Sequence, residues 1–296
     1  MLEVSRSGFY AWRQRPESAH DKTDRKLRVR VRASYDASHG RYGSIRVHHD
    51  LIEQDIRVSR KRVIRLMQQA GLQARKRKRF KLTTRSDHDH PVAPNLLNRQ
   101  FTARMVNERW VADTTEFVIG QSGTLYLAAI LDLFSRFVVG WALGAVNDRH
   151  LVINALDMAL KRRCPDAGLL HHSDRGSPYA SEDYRRILGT HGITCSMSRS
   201  GDCFDNAVME AFFSTVKMEL GDRFETSAAA KSGVFQYIER FYNQRRRHSS
   251  IDYLSPAAFE QRACEPRACE GGRIPGGEAS EDHSGGPSTG APASSL

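Results

Sequence analysis

The chain has no apolar run long enough to cross a bilayer; its longest, such as LYLAAIL, fall far short of the ~20 residues a membrane helix needs. It reads as a soluble protein with no membrane partner. Cysteine is scarce and unpaired. Five residues, Cys164, Cys195, Cys203, Cys264 and Cys269, show no C-x-x-C spacing. An odd count without an apolar signal stretch excludes a disulfide framework and indicates reduced cytosolic thiols. Acidic residues are scarce at the front. Residues 1–81 hold 22 Lys and Arg against 8 Asp and Glu, a surplus of 14. Residues 82–264 hold 21 of each sign and residues 265–296 hold 2 basic against 5 acidic, so the net charge of +11 originates in the first quarter of the chain. So basic a segment is suited to a polyanion.

What is present divides into two textures, as 296 residues allow for one large or two ordinary domains. Residues 1–20 show no clear period, and Pro16 stops any helix before it. From Asp24, Leu27, Val31 and Tyr35 recur at four-residue steps as one helical face among Arg and Lys. After Tyr42-Gly43, the residues Ile45, His48, Leu51 and Ile52 mark a second helix. Ser59 is placed as the N-cap of a third, with Val63, Ile64 and Met67 inside and Gly71 as its stop. The last two helices resemble a helix-turn-helix, in which the opening residues of the second contact DNA. Here those are Arg60, Lys61 and Arg62. A solvated helical hairpin gives the same pattern. The tract RKRKRFK, Arg75 to Lys81, favours nucleic acid, although such runs also serve as linkers, and SDHDHPVAPN follows it.

Beyond residue 101 the apolar runs become strands: RWVADTTEFVI, TLYLAAILDL and RFVVGWAL form an antiparallel meander. A helix, the short strand LLHHSD, a second helix, a strand ITCSMS and helices over Asn206 to Leu220 and Ser227 to Tyr242 complete the order. The expected class is α/β, a ribonuclease H-like mixed five-stranded sheet with flanking helices behind a small all-α helix-turn-helix domain. The expected boundaries are 1–81 for the basic helical region, with the helix-turn-helix at about 42–72, then a linker over 82–100, a core over 101–262 and a disordered tail over 263–296.

Three acids carry the chemistry. Asp113 lies in the first strand of the meander, Asp174 ends an apolar strand before Pro178, and Glu210 follows after thirty-five intervening residues, within a helix. Met209, Phe212, Phe213, Val216 and Leu220 make one apolar stripe of that helix, leaving Glu210, Ser214 and Lys217 on a flank roughly 100° from its centre. Acids at a strand, a strand end and a helix flank supply hard oxygen ligands from several directions. Two divalent ions about 4 Å apart would suit in-line phosphodiester displacement. Each acid alone also fits a plain role: Asp113 a strand-edge aspartate, Asp174 an Asx turn with Gly176, Glu210 a solvated flank. Asp132 competes with Asp113 but sits at a strand end near a turn. His171 and His172 read as structural. Arg245, Arg246 and Arg247 suit backbone phosphates, or cap the preceding helix.

The motifs VSRSGFYAW, YGSIRVHHDL, VSRKRVIRLMQQAGL, WVADTT, DLFSRFVVGW, HSDRGSPY, SMSRSGDCFDNAVMEAFFSTVKMEL and YNQRRRHSSIDYLSPAAF occur in this order over nearly residues 1–262. Together they resemble the second-reading-frame transposases of insertion-sequence family three, with their retroviral-integrase-like catalytic core. The resemblance implies an acidic triad at Asp113, Asp174 and Glu210, a basic phosphate-holding position at Lys217, and two Mg2+ ions, with Mn2+ as a substitute. It implies cleavage of one strand at an element end by water, then attack of the freed 3′-hydroxyl on another phosphodiester. The implied partners are double-stranded DNA of element ends and target, further copies of the chain on that DNA, and an upstream-frame protein, in the bacterial cytoplasm on the nucleoid. Gly201-Asp202 stands where glycine-asparagine is commoner, Pro178 where glutamine is usual, and the tail after Arg262 matches nothing. Two other functions share these features: a ribonuclease H-like nuclease or resolvase, and a non-catalytic DNA-binding regulator derived from a transposase.

Overall fold

Ser5 and Ser18 each accept a backbone N–H three residues on, capping helices α1 (Arg6–Arg13) and α2 (Ala19–Ala37). The computed structural model describes residues 5–75, 92–121, 123–199 and 202–265. The expected tail from residue 263 and the tract RKRKRFK lie almost wholly outside them. Helix α1 buries none of its residues. Helices α3 (Ser44–Glu53) and α4 (Arg60–Gln69) close with α2 around Leu27, Val31, Val47, Leu51, Val63 and Leu66. Ser59 caps α4 by accepting from the Arg62 N–H at 3.3 Å, and Gly71 follows it at φ +63°. The inner face of α3 differs from the expected one. Val47 and Leu51 are buried, while Ile45 and Ile52 are exposed.

The strands β1 (Arg109–Ile119), β2 (Gly123–Asp132) and β3 (Val138–Gly144) form the antiparallel meander. Helix α5 (Arg149–Arg163) leads to β4 (Leu170–Ser173), helices α6 (Ser177–Ala180) and α7 (Glu182–Thr190), then β5 (Thr194–Met197). Helix α8 (Ala207–Glu219), β6 (Arg223–Phe224), α9 (Ser227–Phe235) with its π-helical extension Gln236–Tyr242, and α10 (Pro256–Cys264) follow. The sheet order is β3-β2-β1-β4-β5, with β4 parallel to β1 and β5 parallel to β4. This is the ribonuclease H-like mixed sheet. The two-residue β6 adds a sixth strand, parallel to the far end of β1.

Period-two alternation sorts the sheet into two layers. Trp110, Ala112, Ala128, Ile130 and Val139 pack against α5, α6 and α7. Val111, Phe117, Leu127, Ala129 and Leu131 pack against α8 and the π-helical segment, in a core that continues into α2, α3 and α4. The N-terminal helices dock on the core through specific contacts. Tyr42 Oη donates to the Arg245 carbonyl at 2.8 Å and accepts the Arg247 N–H at 2.9 Å, and the Arg41 guanidinium lies 4.5 Å from the Phe241 ring centroid. No helix among the described residues is long and apolar enough to cross a membrane.

Candidate active site

Strand alternation decides which way the acids point. Val111 and Phe117 of β1 face α8, and Asp113 falls on the same side of the strand. Ala112 pairs with Ser173 across the parallel β1–β4 ladder, so Asp174 leaves the end of β4 beside Asp113. Among the described residues that edge of β1 has no further strand partner until β6 joins at Val118. This unpaired stretch lies at the carboxyl end of β4, where α/β sheets place their sites. Glu210 sits in the first turn of α8, packed over the same layer.

Asp113 feels the charges of the other two acids. The Asp113 carboxyl is held well above the usual carboxylate range, first by burial, then by the charge of Asp174 and then by Glu210, with the Thr114 N–H opposing at 2.7 Å. Burial also raises Glu210. Asp174 Oδ1 accepts the Gly176 N–H at 2.9 Å, the Asx turn read from SDRG, which orients its carboxylate. The Tyr179 hydroxyl is buried with no hydrogen-bond partner among the described residues. Its ionisation is pushed well up by burial, then by Tyr184, Asp113 and Asp174. Among the described residues no three His, Cys, Asp or Glu side chains are drawn close enough to hold a metal as they stand. Like charges favour that separation. Lys217, on the same side of α8 as Glu210, has its ammonium disfavoured by burial and supported by Glu116 and Asp222.

The start of α8 is fastened by two residues that sequence reasoning passed over. Asn206 Nδ2 donates to the Ala112 carbonyl at 3.2 Å, beside Asp113. Asp205 is buried and accepts from Arg199 at 2.8 and 3.0 Å, Arg99 at 3.1 Å and Asn95 at 2.7 Å. The Arg199 hydrogen bonds hold it far below the usual carboxylate range against the opposing effect of burial. The available signal was the Asp-Asn pair set immediately before a helical run. His172 is bonded at both ring nitrogens, to Ser196 Oγ at 2.8 Å and Ser198 Oγ at 3.1 Å, and His171 Nε2 meets the Tyr184 hydroxyl at 3.0 Å. Burial pushes His171 down to about 3 and His172 to about 4, so both are neutral structural groups. Asp132 is likewise structural, accepting the Asn107 and Phe134 N–H groups at 2.8 Å each.

The basic residues divide. Arg60 and Lys61 are exposed at the start of α4, and Arg245 is exposed after the π-helical segment. Arg62 turns inward, its Nε 2.6 Å from Asp24 Oδ1, while Arg65 takes the other oxygen at 2.6 Å. Arg246 is buried in a two-pronged pair with Glu219 at 2.8 and 2.9 Å. Arg247 is buried between Asp50 and Glu53 of α3. The expectation that Arg62, Arg246 and Arg247 meet DNA phosphates is corrected accordingly: Arg246 and Arg247 are buried against their carboxylates, and the partly buried Arg62 is paired with Asp24.

Comparison with known proteins assigns the chain to a family. Models of the integrase core domain match residues 103–203 and 191–256, and an HTH-like domain matches residues 22–80. The chain is 43% identical over 261 residues to an uncharacterized 31 kDa protein of insertion element IS600 from Shigella sonnei, covering 88% of this chain and 96% of that one. It is 37% identical over 266 residues to the transposase InsF for insertion sequence IS3A from Escherichia coli, covering 88% and 92%. The simian T-cell lymphotropic virus intasome is similar at 14% identity and a TM-score of 0.44, over 86% of this chain and 80% of that one. The HTLV-2 integrase catalytic core in complex with magnesium is similar at 14% identity and a TM-score of 0.38, over 53% and 97%. By its identity over most of their length, the chain belongs to the family of integrase-core transposases encoded by insertion sequences of the IS3 type.

Proposed function

We propose that the protein is a DNA transposase whose Asp113, Asp174 and Glu210 cleave element ends and transfer the freed 3′-hydroxyl to a second phosphodiester. The observation that carries this reading is the register that sets Asp113 and Asp174 side by side at the β1–β4 edge, with Glu210 in the first turn of the helix that Asn206 ties to Ala112. Carboxylates carried by β1, the end of β4 and the first turn of α8, with the buried unpartnered Tyr179 hydroxyl, are an all-oxygen donor set that fits a hard cation. They would hold Mg2+, with Mn2+ as a substitute and two ions in all. Bound there, the metal supplies an activated attacking oxygen and neutralises the leaving one.

The chain's own residues do the rest. Strand β1 holds Asp113 rigidly, the Asx turn at Gly176 fixes Asp174, and Asn206 fastens the helix that presents Glu210. Lys217 is placed to hold a phosphate beside them. Arg60 and Lys61 at the start of α4, together with Arg245, are the exposed groups assigned to double-stranded DNA at the element end and target. The working form is an oligomer on DNA, in the bacterial cytoplasm, joined or fused to the upstream-frame protein.

The test is strand transfer. Labelled oligonucleotides carrying the element's inverted ends are incubated with a target plasmid and Mg2+, and joined products are expected from the wild type but not from Glu210→Gln. Nicks without joining support a nuclease, and binding without either product supports a regulator.

A further inference from the structure

A second built feature lies away from the acids, where α3, the β2–β3 turn, α8 and the segment after Tyr242 meet. There the chain forms an open cavity of about 340 Å3, within the ~300–1,000 Å3 of small-ligand pockets. Leu131, Ala211 and Phe212 form its apolar wall, and Arg46, Arg136 and Arg246 its cationic one. Along α8 it occupies the flank opposite Glu210.

Two observations single out Arg136. Its backbone is left-handed at φ +65°, a cost that a glycine or asparagine would lower. Its guanidinium donates Nη2 to the Phe101 carbonyl at 3.0 Å, yet leaves Nη1 buried without a hydrogen-bond partner among the described residues. Around it three guanidiniums meet two carboxylates, since Arg46 and Arg246 share Glu219 and Arg136 has the charge of Asp132 nearby. The surplus is felt by His248 on the cavity wall, pushed down to about 3 by burial, then by Arg246, Arg136 and Arg46.

A half-buried surplus of guanidinium beside an apolar wall is a site for an anion with an apolar body. We propose that this cavity binds a nucleoside phosphate, its phosphate received by Arg136 and Arg46 and its base or sugar laid on the Phe212 wall. The ligand is either a free nucleotide or one nucleotide of a DNA strand passing between the helix-turn-helix and the core. The site is separate from the acidic triad, so it stands whether or not the catalytic reading does.

Calorimetric titration of the full chain with dAMP, inorganic phosphate and a short single-stranded oligonucleotide tests it. The wild type is expected to bind dAMP more tightly than inorganic phosphate, and Arg136→Gln to weaken binding about tenfold to a hundredfold. Ser249→Trp, which fills the exposed mouth without touching the arginines, is a second variant expected to block binding if Arg136→Gln fails to fold. Arg136-dependent binding of the oligonucleotide alone identifies the strand as the source. Binding unaffected by both variants, or no binding of any probe, overturns the proposal.

Discussion

Asn206 Nδ2 reaches the carbonyl oxygen of Ala112 at 3.2 Å, so the helix bearing Glu210 is tied to the residue beside Asp113. The amide is buried, and removing it deletes the hydrogen bond that joins the start of the helix to β1. Asn206→Ala is expected to cost about 1–3 kcal/mol in urea unfolding. It should also lower strand transfer further than the loss of folded protein explains. Activity that tracks the folded fraction alone would reduce Asn206 to a packing residue.

Arg247 tests the docking of the N-terminal helices on the core. Its guanidinium is held between Asp50 and Glu53, and its Nη1 donates to the Tyr253 carbonyl at 3.0 Å. Arg247→Ala strands a half-buried Asp50 and should cost about 3 kcal/mol. The exposed neighbour in Arg245→Ala should change stability by less than about 0.5 kcal/mol. Equal effects in chemical denaturation would mean that the clamp contributes nothing.

The pH dependence follows from buried imidazoles. His171, His172 and His248 are held neutral, near 3, 4 and 3, whereas an unfolded chain protonates them near 6.5. The unfolded state therefore binds more protons below that point, and stability is lost as pH falls from about 6.5 toward 4, by up to about 1.4 kcal/mol per pH unit per group. Melting temperatures at pH 7, 5.5 and 4.5 measure the slope. His172→Gln should flatten it, and an unchanged slope would contradict the burial account.

Asp113 works in the opposite sense. Burial and the charges of Asp174 and Glu210 raise its carboxyl, so the folded state holds that proton more tightly than the unfolded chain does. Stability from this group is present at low pH and is lost as pH rises through its folded value. At neutral pH without metal, Asp113→Asn should therefore stabilise the protein, by about 0.5–2 kcal/mol, while abolishing strand transfer. A destabilised variant in a thermal melt would contradict the shared field.

Where local chemistry decides structure, it could be read from the chain. Ser59 and Gly71 bound α4 as their capping preferences require. The WVADTT and HSDRGSPY motifs bring Asp113 and Asp174 to neighbouring strands because alternation and register leave no other face. Where a distant partner decides, the sequence misled. The string RRRH looks the same whether a guanidinium faces water or a carboxylate, and Arg246 meets Glu219 while Arg247 meets Asp50, almost two hundred residues away. Arg62 likewise turns to Asp24 in a different helix. Docking on the core also selects Val47 over Ile45 as an inner residue of α3, a choice that helical period alone does not make. Strand β6 is too short to leave a period.

The most direct measurement of the joint role of the acids is Mn2+ binding followed by electron paramagnetic resonance on the intact chain, wild type beside Asp113→Asn, Asp174→Asn and Glu210→Gln. Two bound ions in the wild type, and loss of at least one in each variant with folding intact, are expected. Equal Mn2+ occupancy in all four proteins would contradict the assignment of the three carboxylates to one metal-binding centre.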